Sequence, residues 1–96
     1  MDKSSLKVVE TSRFKKESLQ LLESDRDLII GGLVWALARS PHFGQQVRGS
    51  EQRVWVLYRG GFAYLAYYSI SGDTIVLESI VRRKTPIAPG PLGLEP

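Results

Sequence analysis

Three consecutive basic side chains, Arg82-Arg83-Lys84, close the last strand-like run of the chain and form its longest uninterrupted stretch of positive charge. Neighbours in an extended strand point to opposite faces, so Arg82 and Lys84 share one side and Arg83 takes the other. Arginine presents a planar fork of donors that matches a pair of phosphate oxygens, so several guanidinium groups on one sheet make a phosphate-binding surface. Arg53 and Arg59 bracket an earlier strand, and a meander is expected to bring the cluster within reach of Arg53 or Arg59. The alternative is that a charge run at a strand end only solvates an edge and blocks aggregation.

The tyrosines Tyr58, Tyr64, Tyr67 and Tyr68 are the second group with chemical potential, because an exposed ring beside basic residues can stack an unpaired base. Alternation sets Phe62, Tyr64, Ala66, Tyr68 and Ile70 on one face, which reads as core, and Ala63, Leu65 and Tyr67 on the other. Tyr67 is therefore the ring to single out. His42, the one histidine, lies in a connector away from the basic strand end and reads as structural or solvent-exposed. Glu78 is expected to pair with a neighbouring arginine. There is no cysteine, which excludes disulfides, thiolate zinc sites and a cysteine nucleophile. No phosphate loop, serine elbow or metal-ligand cluster is present, so neither a cofactor nor a metal is expected.

These groups must be positioned by a single domain, since 96 residues cannot build two independent cores. Leu6–Val9 is a short β-type run. Thr11 or Ser12 can cap a helix extending to about Glu23, with Phe14, Leu19, Leu21 and Leu22 at helical intervals. Ser24-Asp25 is a second cap site before an apolar helix over 26–39, interrupted by Gly31-Gly32 and ended at Pro41. The region 42–52 reads as a connector. Strands follow at 53–58, 62–70 and 74–81, separated by Arg59-Gly60-Gly61 and Ser71-Gly72-Asp73 turns. Residues 86–96 hold four of the five prolines and read as a Pro/Gly-rich tail beyond a domain over 1–85. The order β-α-α-β-β-β predicts an α+β fold, an antiparallel sheet with a helical hairpin packed on one face and the other face open. The formal charge of +3 favours an acidic partner. The apolar stretch 28–38 is too short to span a bilayer, so no membrane association is expected and a cytoplasmic location is.

This order of elements and signals resembles the RelE/ParE superfamily of type II toxin–antitoxin toxins. The resemblance rests on Arg13-Phe14-Lys15-Lys16 at the start of the first helix and on the connector Ser40-Pro41-His42-Phe43-Gly44-Gln45-Gln46-Val47-Arg48-Gly49. It continues through Gly60-Gly61-Phe62, the Tyr68–Thr74 hairpin and the strand that ends in Arg82-Arg83-Lys84. It implies a cytoplasmic toxin neutralised by a cognate antitoxin. The implied activity is that of a metal-independent mRNA endonuclease, an mRNA interferase that inhibits translation on the ribosome. In that reading Arg82, Lys84 and Arg53 are the catalytic candidates, and Arg83, Arg59, Arg48 and Tyr67 bind RNA. The alternatives are a ParE-like inhibitor of DNA gyrase acting by protein contact, or an inactive binding module. One departure favours the alternatives. The family's strand arginine after the glycine–aromatic pair falls here at Ala63 or Leu65, and the usual C-terminal aromatic is replaced by the proline-rich segment.

Overall fold

The computed structural model describes residues 6–85. Its elements are β1 (Lys7–Glu10), α1 (Ser12–Ser18), α2 (Glu23–Arg39), β2 (Gln45–Gln46), β3 (Arg53–Arg59), β4 (Phe62–Ser71) and β5 (Thr74–Lys84). The α+β architecture is the expected one, with one addition: Gln45–Gln46, read as connector, pairs with Val54 and Arg53 as a short edge strand. The Pro/Gly-rich segment 86–96 lies outside the described residues.

Five strands form one sheet in the order β1-β5-β4-β3-β2. β3, β4 and β5 make the antiparallel meander, and β1 adds in parallel to the first half of β5, from Lys7 beside Thr74 to Glu10 beside Leu77. The β3–β4 turn is tight because Gly60 and Gly61 adopt φ of 61° and 83°, the left-handed pair that a two-residue hairpin consistent with strand twist requires. That turn fixes the register: Arg59 stands opposite Phe62, and Arg53 opposite Tyr68.

Alternation along the strands sets the two faces. Tyr64, Ala66 and Tyr68 of β4 and Ile75, Leu77 and Ile80 of β5 are buried against Phe14, Leu21, Ile29, Leu33 and Leu37 from the helical side. Ile29, Leu33 and Leu37 recur every four residues, one stripe of α2 pressed on the sheet. The alternation of β5 breaks once. Tyr67 stands opposite Ser79 while Tyr68 stands opposite Leu77, so Glu78 is an extra residue, a bulge that lets both halves of β5 keep their apolar side chains in the core.

Both helices differ from expectation at their joint. α1 ends at Ser18 because Gln20 and Leu21 donate to Glu17 and Ser18 carbonyls at 3.0 and 3.1 Å, a tightening that drops Leu21 into the core while Leu19 and Leu22 stay exposed. α2 starts at Glu23 with Leu22 at the cap position and no side-chain cap. Asp25 is taken up by a tertiary contact instead: its carboxylate accepts from Arg59 Nε at 3.0 Å and from the Tyr64 hydroxyl at 3.3 Å.

Candidate functional site

Placement of α1 begins at Thr11. Its backbone N–H donates to Leu77 O at 3.0 Å and its Oγ1 donates to Glu78 O at 3.1 Å. The same Oγ1 accepts from Phe14 N–H at 3.0 Å, capping α1. The helix is thereby pinned across the edge of β5 just where β1 ends. One turn on, Glu17 accepts from Ser79 Oγ at 2.7 Å and from Ile80 N–H at 3.0 Å, and forms an ion pair with Arg13 at 3.0 Å. Burial alone would raise the Glu17 pKa, but the Ser79, Ile80 and Arg13 contacts outweigh it and hold the carboxyl below its ordinary value.

The result is a recess on the uncovered face of the sheet, beside β5, lined by Arg13, Gln52, Tyr67, Ser79, Val81 and Arg83. Arg83 and Tyr67, two of the sequence candidates, meet here. Gln52, Ser79, Val81 and the basic Arg13 are members that the sequence reading did not name as site residues. The signal for Arg13 lay in the basic start of the helix, but only the parallel pairing of β1 with β5 carries it to Arg83. Above the recess, Gln52 Nε2 and Ser69 Oγ donate to the Glu78 carboxylate at 2.6 and 2.9 Å. The expected arginine pairing of Glu78 is replaced by this neutral-donor network, because the bulge turns it toward Gln52.

The other candidates are distributed differently. Arg82 and Lys84 pair with Tyr64 and Phe62, which puts them on the helix-covered side of β5, opposite to Arg83. Both are exposed, and the Arg82 guanidinium sits 4.4 Å over the Phe62 ring. Arg59 shares the Phe62–Lys84 row, as a meander requires, and is held by Asp25. Arg53 does not come within reach of the cluster. The hairpin register places it at the far end of β3, six residues and about 20 Å from the Arg59 row at the usual rise per residue. Its guanidinium donates to Gly44 O at 2.6 Å and His42 O at 3.3 Å, so it ties down the connector. Arg48 is exposed in the turn after β2, on the sheet edge away from β5. His42 is exposed.

The connector is held from below as well. The buried Tyr68 hydroxyl donates to Pro41 O at 2.8 Å and accepts from Gly44 N–H at 2.8 Å. A Cβ on Gly44 would stand 2.7 Å from that hydroxyl and 2.8 Å from Val54 O, so only glycine fits. Burial pushes the Tyr68 pKa up, against the opposing influence of the Gly44 N–H and the Arg53 charge.

Between the two ends of the uncovered face the surface is apolar. Val56, Leu65 and Val81 form one row across it, and the positions where a strand arginine was sought, Ala63 and Leu65, both face this side. Among the described residues no group of three or more His, Asp or Glu side chains converges as a metal site, and no helix is long and apolar enough to cross a membrane.

No family model matches the chain, and no curated protein matches it in sequence. Solved structures do match. The RelBE2 toxin–antitoxin complex of Mycobacterium tuberculosis superposes with a TM-score of 0.70 at 18% identity, over 85% of this chain and 95% of the other. The isolated RelE toxin of E. coli gives 0.66 at 20% identity, over 88% and 89%. A chromosomal ParDE system from P. aeruginosa gives 0.59 at 17% identity, over 85% and 100%. These likenesses are of fold, and they span nearly all the described elements.

Proposed function

We propose that this chain, built on the fold shared by RelE and ParE toxins, is the toxin of a type II toxin–antitoxin module and acts as a RelE-like mRNA endonuclease on the ribosome. The observation that carries this reading is the recess where Arg13 and Arg83 flank Tyr67 on the uncovered face. Two guanidinium groups can hold consecutive phosphates while the ring stacks a base. Arg82 and Lys84 approach the same strand end from the other side. In such cleavage the 2′-hydroxyl gives its proton to water as its oxygen bonds to phosphorus. The bond to the 5′-oxygen breaks and that oxygen takes a proton from water, and the cations stabilise the charge that accumulates on the phosphoryl oxygens. Arg59 joins Arg82 and Lys84 on that other side, where Asp25 holds it. Arg53 has the separate task of holding the connector.

A cognate antitoxin follows from the same reading, and the apolar row of Val56, Leu65 and Val81 gives it a surface to cover. That row, with no arginine on β4, also favours a second reading, a ParE-like protein that inhibits DNA gyrase by contact. Induction of the wild-type chain in cells, followed by primer extension, separates them. Codon-phased cuts in message that disappear in Arg13→Ala/Arg83→Ala support cleavage. Intact message with double-strand DNA breaks supports gyrase. Growth unaffected by wild-type induction refutes both readings. Co-expression of the neighbouring open reading frame should restore growth, and failure of every adjacent frame to do so would count against the module.

A further inference from the structure

The outer stripe of α2 takes no part in the core or in the recess. Helical spacing sets Ser24, Leu28, Gly31, Gly32, Trp35 and Arg39 along the side of α2 opposite Ile29, Leu33 and Leu37, and all six are exposed. Leu28 keeps 57% and Trp35 61% of their surface. Between them, a Cβ added to either glycine would meet nothing within 4 Å, so packing within the chain does not call for glycine. Two adjacent glycines in mid-helix oppose helix formation, yet they stand at the midpoint of Glu23–Arg39 and leave the backbone bare there.

We propose that this stripe is the contact between two copies of the chain, with α2 packed antiparallel on α2 of the second copy and crossing at Gly31 and Gly32. A two-fold contact needs a surface complementary to itself, and the stripe has that property. A two-fold axis passing between the two glycines sets Leu28 of each copy against Trp35 of the other, and Ser24 against Arg39. The first turn of α2 carries the exposed Glu23, Asp25 being held on the sheet side by Arg59, and the last turn carries Arg39, whose guanidinium lies 4.1 Å over the Trp35 ring. Antiparallel packing therefore brings opposite charges together at both ends and opposes the helix dipoles, whereas parallel packing would stack acid on acid. The bare backbone at the crossing lets the helix axes approach to about 8 Å, the near end of the usual range. One helix pair covers well under the ~1,600 Å² of a standard interface, so the dimer is weak, with a Kd on the order of 10–100 µM.

Sedimentation velocity on the full-length chain tests this. Through the micromolar range the apparent mass should climb from 10.7 kDa toward twice that value. Gly31→Leu/Gly32→Leu should remain a monomer at every concentration while keeping the wild-type far-UV spectrum. Leu28→Glu serves the same purpose if that variant folds poorly. The chain has no cysteine, so a mixture of Leu28→Cys and Trp35→Cys proteins should form a disulfide-linked heterodimer under mild oxidation, in clear excess over either protein linked to itself. A wild-type chain that stays monomeric throughout, association unchanged in the leucine variant, or preferential Leu28→Cys self-linkage would each overturn the proposal. So would a wild-type monomer whose α2 stripe is taken up only by a protein of different sequence.

Discussion

Replacing Tyr68 with phenylalanine removes one oxygen atom and leaves the ring in place, which isolates what the hydroxyl does for the connector. Two partners lose it. Gly44 N–H is buried and has the hydroxyl as its acceptor at 2.8 Å, and a buried donor left unpaired costs about 1–3 kcal/mol. Pro41 O loses a donor at 2.8 Å, but a carbonyl at a half-exposed position can find water, so about 0.5–1 kcal/mol is the expected share. Burying a phenyl ring is easier than burying a phenol, which offsets a fraction of the loss. The sum is about 2 kcal/mol, equivalent to a fall in Tm on the order of 8–16 °C for a domain of this size. Urea denaturation followed by tryptophan fluorescence measures it directly, and an unchanged m-value would show that the transition itself is the same. Gly44→Ala should cost at least as much, because its Cβ meets the same hydroxyl and Val54 O. The double variant should be less destabilised than the two losses added, since both act on one contact. The alkaline limb supplies a second check. The folded Tyr68 pKa is raised by burial, so its contribution is complete below the unfolded value near ~10 and is lost as pH rises through the folded one. If Tyr68→Phe unfolds within about 0.5 kcal/mol of wild type, the connector is not held through this hydroxyl.

Other outcomes follow from the same geometry. The Glu17 pKa is depressed, so its stabilisation is complete above the ordinary glutamate value of about 4.3 and disappears as pH falls through the lower folded one. Melting temperature followed from pH 7 downward should therefore drop more steeply there for wild type than for Glu17→Gln, and parallel curves would contradict the assignment. Arg59→Met should cost less than ~1 kcal/mol because the ion pair is half-exposed, whereas Asp25→Ala should cost more, since it also strands the Tyr64 hydroxyl. Equal effects in thermal melts would argue against a shared carboxylate. Arg82→Ala/Lys84→Ala should relieve growth inhibition with a stability change of no more than ~1 kcal/mol, because both side chains are exposed at a strand end. A soluble double variant of full toxicity would remove these two residues from the mechanism.

The parts of the fold that sequence reveals are those governed by local periodicity. Alternation along 62–70 separated Tyr64, Ala66 and Tyr68 from Ala63, Leu65 and Tyr67, and the core follows that division. The two-glycine hairpin at Gly60-Gly61 dictates the opposite pairs by counting outward, a count that separates Arg53 from Arg59 and that an expectation naming either arginine leaves unused. Three features had no local mark. The bulge at Glu78 lies in a run of ordinary strand residues, with neither glycine nor proline to announce it. The docking of β1 beside β5 joins residues separated by some two-thirds of the chain, and Arg13 reaches Arg83 only through it. The break after Ser18 depends on Leu21 alone seating in the core, although Leu19 and Leu22 offer the same side chain.

The seating of Glu17 has a consequence for how other chains can attach. A sheet grows by lending the free N–H and C=O groups of an outer strand to a newcomer. On one side, β1 covers the first half of β5, and beyond it the Glu17 carboxylate occupies the outward N–H of Ile80. At Ile80 a side chain thus stands where a neighbouring strand would bond. On the other side β2 covers only Arg53 and Val54, and Trp55–Arg59 of β3 have no strand beside them among the described residues. The outer rim of β1, by contrast, is four residues that begin and end with a charge, Lys7 and Glu10. A partner that joins this protein by extending its sheet therefore finds a longer free edge along β3 than along β1.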